Sequence, residues 1–170
     1  MQKVKKVLPF VAAGMALLAI IFLALPAGEA TLLGLTGKAS GFKIIFGGDL
    51  VFDAAGERFD LELDFSFVNF LAFLFLIGGA VMAVIGVKME NKVFKIVSGA
   101  LFLVAAILFF CVIENLQLDT TVFDSKADAE LMKDMIKEYS SLGAGAILPA
   151  VCSILAGAAI LVPAFLPDEK

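Results

Sequence analysis

The stretch "RFDLELDFSFVNFLAFLFLIGGAVMAVIGV", residues 58–87, decides the fold because its hydrophobic period changes partway along. From Arg58 to Asp64 apolar and acidic residues alternate, which indicates a strand with one face in water. From Phe65 onward the apolar residues continue for about 20 positions, enough to cross a hydrocarbon core of roughly 30 Å. The stretch therefore predicts a strand in water that leads directly into a membrane-spanning helix.

The composition of the whole chain also indicates a membrane protein. Of its 170 residues, 61% are hydrophobic, against about 45–50% in soluble domains. The first apolar block resembles a signal peptide, but it is longer than the usual signal core of about 7–15 residues, so we interpret it as a span. Four blocks are long enough to span a bilayer, none has a charged residue in its middle, and they cover about residues 7–25, 65–87, 93–113 and 143–166.

The charges between the blocks predict the orientation. Two short segments, one before the first block and one between the second and third, are basic and are expected in the cytoplasm. They contain Lys3, Lys5, Lys6, Lys88, Lys92 and Lys95. The loops 27–64 and 114–142 carry more acidic than basic residues and are expected outside. We therefore predict a multi-pass protein of the plasma membrane with both termini in the cytoplasm.

The first outer loop, residues 27–64, predicts a small antiparallel sheet. The strand-like segments "FKIIF" (42–46) and "DLVFD" (49–53) are separated by Gly47 and Gly48, a pair that suits a two-residue hairpin turn. A second turn at 54–57 precedes a third strand at about 58–64. The result is a three-stranded meander whose apolar face needs a cover.

The second outer loop, residues 114–142, predicts an amphipathic helix over about 126–139. Ser125, with Asp128 three residues later, forms a capping-box pattern. The remaining faces of the helix mix lysines and acids, so we expect its apolar stripe to pack on the sheet rather than on the membrane surface. The stripe consists of Leu131, Met132, Met135, Ile136 and Tyr139.

Three carboxylates on the last predicted strand, those of Asp60, Glu62 and Asp64, are a weak candidate for a divalent cation site. Residues two apart on a strand are about 6–7 Å apart, whereas calcium takes about 6–8 oxygens at roughly 2.3–2.6 Å. One strand face cannot form such a site alone, and a solvated polar face is the simpler interpretation.

The apolar faces of the sheet and of the outer helix form a candidate interaction surface. Side chains there are expected to meet a second copy of the chain or another membrane protein. The candidate residues are Phe42, Ile44, Phe46, Leu50, Phe52, Phe59, Leu61, Leu63, Met132, Met135 and Ile136.

Residues suited to catalysis or transport are few. The chain has no His, and its two Cys lie in apolar blocks without metal-binding spacing. We therefore expect no enzymatic activity, no cofactor and no nucleic-acid partner. Transport paths usually need polar groups within the bilayer, and the blocks offer mainly Asn69, Ser98 and Ser153. A small channel or transporter subunit, or an accessory subunit of a larger membrane complex, is the alternative function.

Small residues recur four positions apart in the blocks, as in Ala12 with Ala16 and Ser153 with Gly157. Such spacing lets helices in lipid approach closely. Two interpretations stay open, packing within one bundle and association between copies of the chain.

The order of these features resembles the claudin-like tetraspans, which have four spans, short cytoplasmic ends and a long first outer loop that forms an antiparallel sheet. The segment "LLGLTG" (32–37) holds the Gly-Leu of that family's W-GLW-C-C signature without its Trp and Cys residues. This resemblance implies lateral self-association or partner binding through the outer sheet. The phrases "SGFKIIFG" and "LGAGAIL" also resemble small four-span membrane proteins common in bacteria, which implies no particular activity.

The sequence thus predicts a mainly α membrane protein, a four-helix transmembrane bundle with a small extracellular antiparallel β-sheet and a short amphipathic extracellular helix. We expect a non-enzymatic protein in a lipid bilayer. The sheet and outer helix, together called the cap, are expected to bind a second copy or another membrane protein.

Overall fold

The computed structural model describes residues 2–32, 34–54, 57–89, 91–123 and 125–165. The described chain is mainly helical and also forms a five-stranded antiparallel sheet. In chain order the elements are α1 (Gln2–Phe22), β1 (Pro26–Leu32), β2 (Leu35–Ser40), α2 (Gly41–Phe46), β3 (Gly48–Ala54), β4 (Glu57–Leu63), α3 (Phe67–Lys88), α4 (Lys92–Phe110), a short 3-10 helix (Thr120–Val122), α5 (Lys126–Glu138), β5 (Ser140–Leu142) and α6 (Ala144–Phe165).

Within the described ranges, three helices are long and apolar enough to cross a membrane, namely α3, α4 and α6, which indicates a membrane protein. They correspond to the second, third and fourth predicted spans. The described apolar part of α1, Val7–Phe22, is shorter. The four long helices contact one another in a closed order, α1 with α3, α3 with α4, α4 with α6 and α6 with α1.

Small residues occupy many of the contacts between the long helices, and many of the large apolar side chains face outward. In α1, Ala12 and Ala16 are buried, whereas Leu17 and Ile21 are exposed. In lipid, small residues at the contacts let helix backbones approach closely. The recurrent small residues therefore serve packing within the chain. The buried core of the long helices, called the helix core, includes Ala12, Ala16, Ala19, Ala72, Ala83, Ala105, Ala150 and Ala156 together with Leu76, Phe102 and Phe109.

The sheet has the strand order β4-β3-β2-β1-β5, and its paired strands are antiparallel. Strands β3 and β4 confirm the second and third strands of the predicted meander. In their register Leu50 lies opposite Leu61, and Phe52 lies opposite Phe59. Strands β1, β2 and β5 extend the sheet beyond the three predicted strands.

The predicted first strand, residues 42–46, is wrong because this segment forms the short helix α2. Ser40 caps the helix, and its hydroxyl oxygen accepts a hydrogen bond from the Lys43 backbone N–H at 3.4 Å. Gly47 ends the helix with φ at +91° and donates its N–H to the Lys43 carbonyl at 2.9 Å. A cap residue at each end favours a helix over the strand preference of Ile44 and Ile45.

The cap has its own core, called the cap core, in which large side chains from the sheet meet those of α5 and of the segment after α4. The predicted amphipathic helix is confirmed as α5, and the Ser125 hydroxyl caps it by accepting a hydrogen bond from the Asp128 N–H at 3.2 Å. Its Ile136 is fully buried against the sheet, as expected for the apolar stripe. The cap core includes Ile44, Leu50, Phe52, Leu61, Leu63, Val112, Ile113, Leu116, Leu118 and Ile136.

The segment that follows α4 also holds the edge strand β4 in place. Gln117 accepts a backbone hydrogen bond from Asp64 at 3.1 Å, and Asp119 donates one to Glu62 at 3.0 Å. These two bonds cover the end of β4 next to α3. The third predicted strand therefore lies between β3 and this segment, just before the chain enters α3.

Candidate functional site

An apolar cleft of about 430 Å³ opens in the cap between α5 and the β1–β2 hairpin. It lies at the end of the sheet remote from the long helices, because Leu32 follows the first residue of β1 by six positions, or about 20 Å of strand. Its volume is within the range of roughly 300–1,000 Å³ that is usual for ligand pockets. The side chains that line it include Leu32, Leu35, Phe52, Met132, Met135 and Tyr139.

The cleft exists because the apolar face of the sheet extends beyond the part that α5 covers. Ile136 packs into the cap core, whereas Met132 and Met135 on the neighbouring side of α5 are only half-buried. Leu32 and Leu35, which pair with each other at the end of the β1–β2 hairpin, are also half-buried. The uncovered end of the sheet and the side of α5 thus form the two walls of the cleft.

Further apolar side chains of α5 lie exposed. Leu131 is 63% exposed and Tyr139 is 57% exposed. Tyr139 also lines the cleft and its carbonyl accepts a hydrogen bond from the Thr31 N–H at 3.1 Å. The two methionines are flexible and adapt to partners of different shape. An exposed apolar surface on a part of the chain that carries many charges is a candidate interaction site.

Ten of the eleven predicted interaction residues fall into three groups. Met132 and Met135 line the cleft, and Phe42 and Phe46 lie on α2, away from the cleft lining. The side chain of Phe59 lies outside those that the structure describes. The remaining residues are buried in the cap core and stabilise the cap: Ile44, Leu50, Phe52, Leu61, Leu63 and Ile136. Of these, Phe52 also contributes to the cleft lining.

The predicted interaction surface missed the part of the cleft lining that the β1–β2 hairpin supplies. Thr31, Leu32 and Leu35 belong to the β1–β2 hairpin, which the predicted meander did not include. The sequence held one signal for this hairpin, the glycine at position 34. Gly34 adopts a positive φ of 83° in the turn between Leu32 and Leu35, which face the same side of the sheet.

The predicted acidic residues line the opposite, water-exposed face of the sheet. Asp60 and Glu62 are exposed and lie opposite Val51 and Asp49 of β3. Asp64 follows the end of β4, and its carboxylate accepts a hydrogen bond from the Phe65 N–H at 2.6 Å. Among the described residues, no group of three or more His, Cys, Asp or Glu side chains is placed to hold a metal ion.

The same face of the sheet carries an exposed ion pair between Lys38 and Glu29, whose Nζ and Oε1 atoms are 3.0 Å apart. These residues lie opposite each other on β2 and β1. An exposed ion pair of this kind contributes about 0–1 kcal/mol to the free energy of unfolding. This face is polar and solvated, in contrast to the face that forms the cleft.

Buried polar side chains in the long helices hydrogen-bond to nearby backbone carbonyls. Ser98 donates to the Gly79 carbonyl at 2.7 Å, and Ser153 donates to the Pro149 carbonyl at 2.8 Å. Asn69 donates its side-chain N–H to the Val112 carbonyl at 3.1 Å, which ties the start of α3 to the segment after α4. The bonds of Ser98 and Asn69 therefore connect separate segments, whereas that of Ser153 lies within α6.

No protein-family model matches the chain, and comparison with curated proteins and with solved structures finds no match either. Function has to be inferred from the geometry of the cap and of the long helices.

Proposed function

We propose that the chain is a non-enzymatic, multi-pass protein of the plasma membrane whose cap binds a second copy of the chain or another membrane protein. The observation that carries this proposal is the apolar cleft between α5 and the β1–β2 hairpin, with Leu131 and Tyr139 exposed on the same helix. Each large apolar side chain that a partner buries there would contribute about 1.5–3 kcal/mol. In the part of the chain that the structure describes, the polar face of the sheet carries no comparable apolar surface whose burial would stabilise a complex.

In this proposal the four long helices span the bilayer with the cap outside. Twenty-one residues of α1, Gln2–Phe22, are helical, and at 1.5 Å per residue they reach about 31 Å, close to a hydrocarbon core of roughly 30 Å. Lys88 and Lys92 are at one end of α3 and α4, and the cap is at the other. Short lysine-rich segments favour the cytoplasm, which supports cytoplasmic termini and an outer cap.

Binding through the cleft is tested with a matched pair of lysine substitutions. Met135→Lys places a charge in the cleft, whereas Val51→Lys places the same charge on the opposite face of the sheet. We expect the wild-type protein in lipid nanodiscs to run as an assembly, or a photo-crosslinker at Leu131 to capture a specific membrane protein in native membranes. Met135→Lys should abolish the association and Val51→Lys should retain it.

The proposal fails if the wild-type protein is monomeric at every concentration and the photo-crosslinker captures nothing in native membranes. It also fails if Val51→Lys and Met135→Lys weaken the association equally. Circular dichroism of both variants checks that the cap is still folded.

The orientation has its own test. Cysteines replace Thr36 on the cap and Lys88 at the end of α3, in a chain whose Cys111 and Cys152 are changed to Ala. A membrane-impermeant maleimide should label Thr36→Cys in intact cells and Lys88→Cys only after the cells are permeabilised. Labelling of Lys88→Cys in intact cells would show that this end of α3 lies outside and would contradict the proposed orientation.

A further inference from the structure

The short helix α2 lies where the helix core meets the cap core. Its two adjacent isoleucines are both fully buried, but Ile44 belongs to the cap core and Ile45 to the helix core. The backbone N–H of Phe42 bonds to the Leu23 carbonyl at the end of α1, and the Ser66 N–H before α3 bonds to the Ile45 carbonyl. Helix α2 therefore sits beside the cap-side ends of α1 and α3.

A third side of α2 carries two phenylalanines one helical turn apart. Phe42 and Phe46 stack with ring centroids 6.3 Å apart. Phe46 also meets Phe70 and Phe73 of α3 edge to face, at 5.8 and 5.6 Å. The ring centroids of Phe65 and Phe70 lie 5.4 Å apart. These five rings, Phe42, Phe46, Phe65, Phe70 and Phe73, are called the phenylalanine cluster.

The phenylalanine cluster is not fully covered by the chain. Phe46 is 46% exposed and Phe65 is 44% exposed. The cluster continues into the outward face of α3, where Leu74, Ile77 and Val81 are exposed. An apolar patch that is continuous with the outward surface of a membrane-spanning helix requires the same surroundings as that helix, which are lipid.

The remaining side of α2 is polar and faces the sheet. The Lys43 ammonium donates to the Asp49 carbonyl of β3 at 2.9 Å. A lysine beside an apolar surface keeps its charged end in water while its stem covers apolar groups. Helix α2 thus has water on its Lys43 side and apolar surroundings on its Phe46 side.

The length of α3 places the cluster at the boundary of the hydrocarbon core. Phe70 and Lys88 are 18 positions apart, which corresponds to about 27 Å of helix. This is close to the thickness of roughly 30 Å of the hydrocarbon core. With Lys88 at one surface, the cluster lies at the other.

We propose that α2 lies in the membrane–water boundary on the cap side and that the phenylalanine cluster inserts into the lipid there. The cluster takes the position that tryptophan and tyrosine usually occupy in membrane proteins, in a chain that has 17 Phe, one Tyr and no Trp. By this contact the bilayer sets how far the cap and its cleft stand above the membrane. The inference rests on the proposed bilayer placement of α3 but is independent of what the cleft binds.

The absence of Trp from the sequence makes a direct test possible, because a single introduced Trp is the main fluorophore. Phe46→Trp reports on the cluster. Two controls bracket it, Lys38→Trp on the water-exposed face of the sheet and Ile77→Trp on the outward face of α3, about 10 Å further along the helix from Phe70. Each protein is reconstituted into phosphatidylcholine vesicles whose acyl chains carry bromine either near the headgroup or near the chain end.

We expect Phe46→Trp fluorescence to be blue-shifted relative to Lys38→Trp and quenched most by bromine near the headgroup. Ile77→Trp should be quenched most by bromine near the chain end, and Lys38→Trp only by aqueous iodide. Phe65→Trp serves as a second reporter from the same cluster if Phe46→Trp lowers the yield of folded protein.

Two different results would overturn the inference. If Ile77→Trp is quenched by brominated lipid but Phe46→Trp and Phe65→Trp are not, the cluster is covered by protein or faces water, and α2 does not contact lipid. If Ile77→Trp is not quenched by either lipid, the bilayer placement of α3 itself is wrong and the inference is wrong with it.

Discussion

The helix core and the cap core bury apolar side chains in opposite ways. In the helix core small residues such as Ala12, Ala83 and Ala156 occupy the buried contacts, and large apolar side chains such as Ile107 face outward. In the cap core large side chains such as Phe52 and Leu61 are buried, and charged residues such as Glu62 face outward.

This difference is what we expect if the long helices lie in lipid and the cap lies in water, as proposed above. In lipid there is no hydrophobic gain from moving a leucine inward, so helices gain stability from close backbone contact and from hydrogen bonds, which small residues permit. In water the burial of large apolar side chains is the main stabilising term, about 25 cal/mol per Å². Substitutions that shorten a buried side chain should therefore destabilise the cap most. Substitutions that enlarge a buried side chain should destabilise the long helices most.

The largest effect is expected for Phe52→Ala in the cap core. Phe52 is buried on β3, and removal of a buried Phe side chain costs about 3–5 kcal/mol. Hydrogen exchange measured by mass spectrometry should show faster exchange in β2, β3 and β4, with little change in α3, α4 and α6. Val51→Ala, on the other face of the same strand, is the control and should change exchange much less.

A second outcome of this experiment would break the comparison. If Phe52→Ala also speeds exchange throughout α3, α4 and α6, the two cores unfold as one unit. The separate behaviour of helix core and cap core would then be contradicted.

The second-largest loss of stability is expected when a small buried residue of the helix core is replaced by a large one. Ala156 and Ala158 lie two positions apart on α6, but Ala156 is fully buried and Ala158 is exposed. Ala156→Leu forces extra volume between packed helices and should cost about 1–3 kcal/mol. Ala158→Leu adds the same volume on the outward face and should leave stability nearly unchanged. Thermal unfolding in detergent measures both, and equal midpoints would show that Ala156 is not at a tight contact.

The parts of the fold that could be predicted from sequence are those with a long and regular hydrophobic pattern. The continuous apolar run after Phe65, the stripe through Ile136 and the alternation in β4 each predicted the element that is observed. In each of these segments the local pattern and the burial in the folded chain agree.

The missed parts depend on contacts between distant segments. Strand β1, "PAGEATL", is rich in residues that are uncommon in strands, and it forms because it pairs with β2 on one side and β5 on the other. Helix α2 has strand-like isoleucines that are buried in two different cores. The cleft was unpredictable because its walls depend on how far α5 covers the sheet, and no local pattern encodes that distance.

A smaller effect compares the same substitution at two helix N-termini. Ser66 caps α3 at the junction with the cap, is buried, and donates its hydroxyl to the Asn115 carbonyl at 2.7 Å. Ser125 caps α5 in an exposed position. Loss of such a cap costs about 0.5–2 kcal/mol. Ser66→Ala should be near the upper end of that range because the Asn115 carbonyl also loses its partner, whereas water replaces the Ser125 hydroxyl. Chemical unfolding of the two variants measures the difference, and a larger loss for Ser125→Ala would contradict it.

The smallest effect concerns Asp119, which caps the 3-10 helix in the segment that covers β4. Hydrogen bonds from the Thr121 side chain and from its backbone N–H, the latter at 2.7 Å, hold the pKa of Asp119 below its ordinary value of 3.8. Because the folded state lowers this pKa, the charged carboxylate stabilises the cap above about pH 4, and that contribution is lost as the pH falls through the lowered pKa. Asp119→Asn keeps an oxygen that can accept the bond but does not titrate.

The wild-type cap should therefore be more stable than Asp119→Asn at neutral pH, and the difference should shrink as the solution is acidified below pH 3.8, the ordinary value. Hydrogen exchange is too pH-dependent for this comparison, so limited proteolysis with an acid-active protease measures cleavage near Asp119 instead. A difference that stays constant or grows on acidification would show that the Thr121 bonds do not favour the charged carboxylate. The edge of the cap would then depend on the backbone bond from Asp119 to Glu62 rather than on its charge.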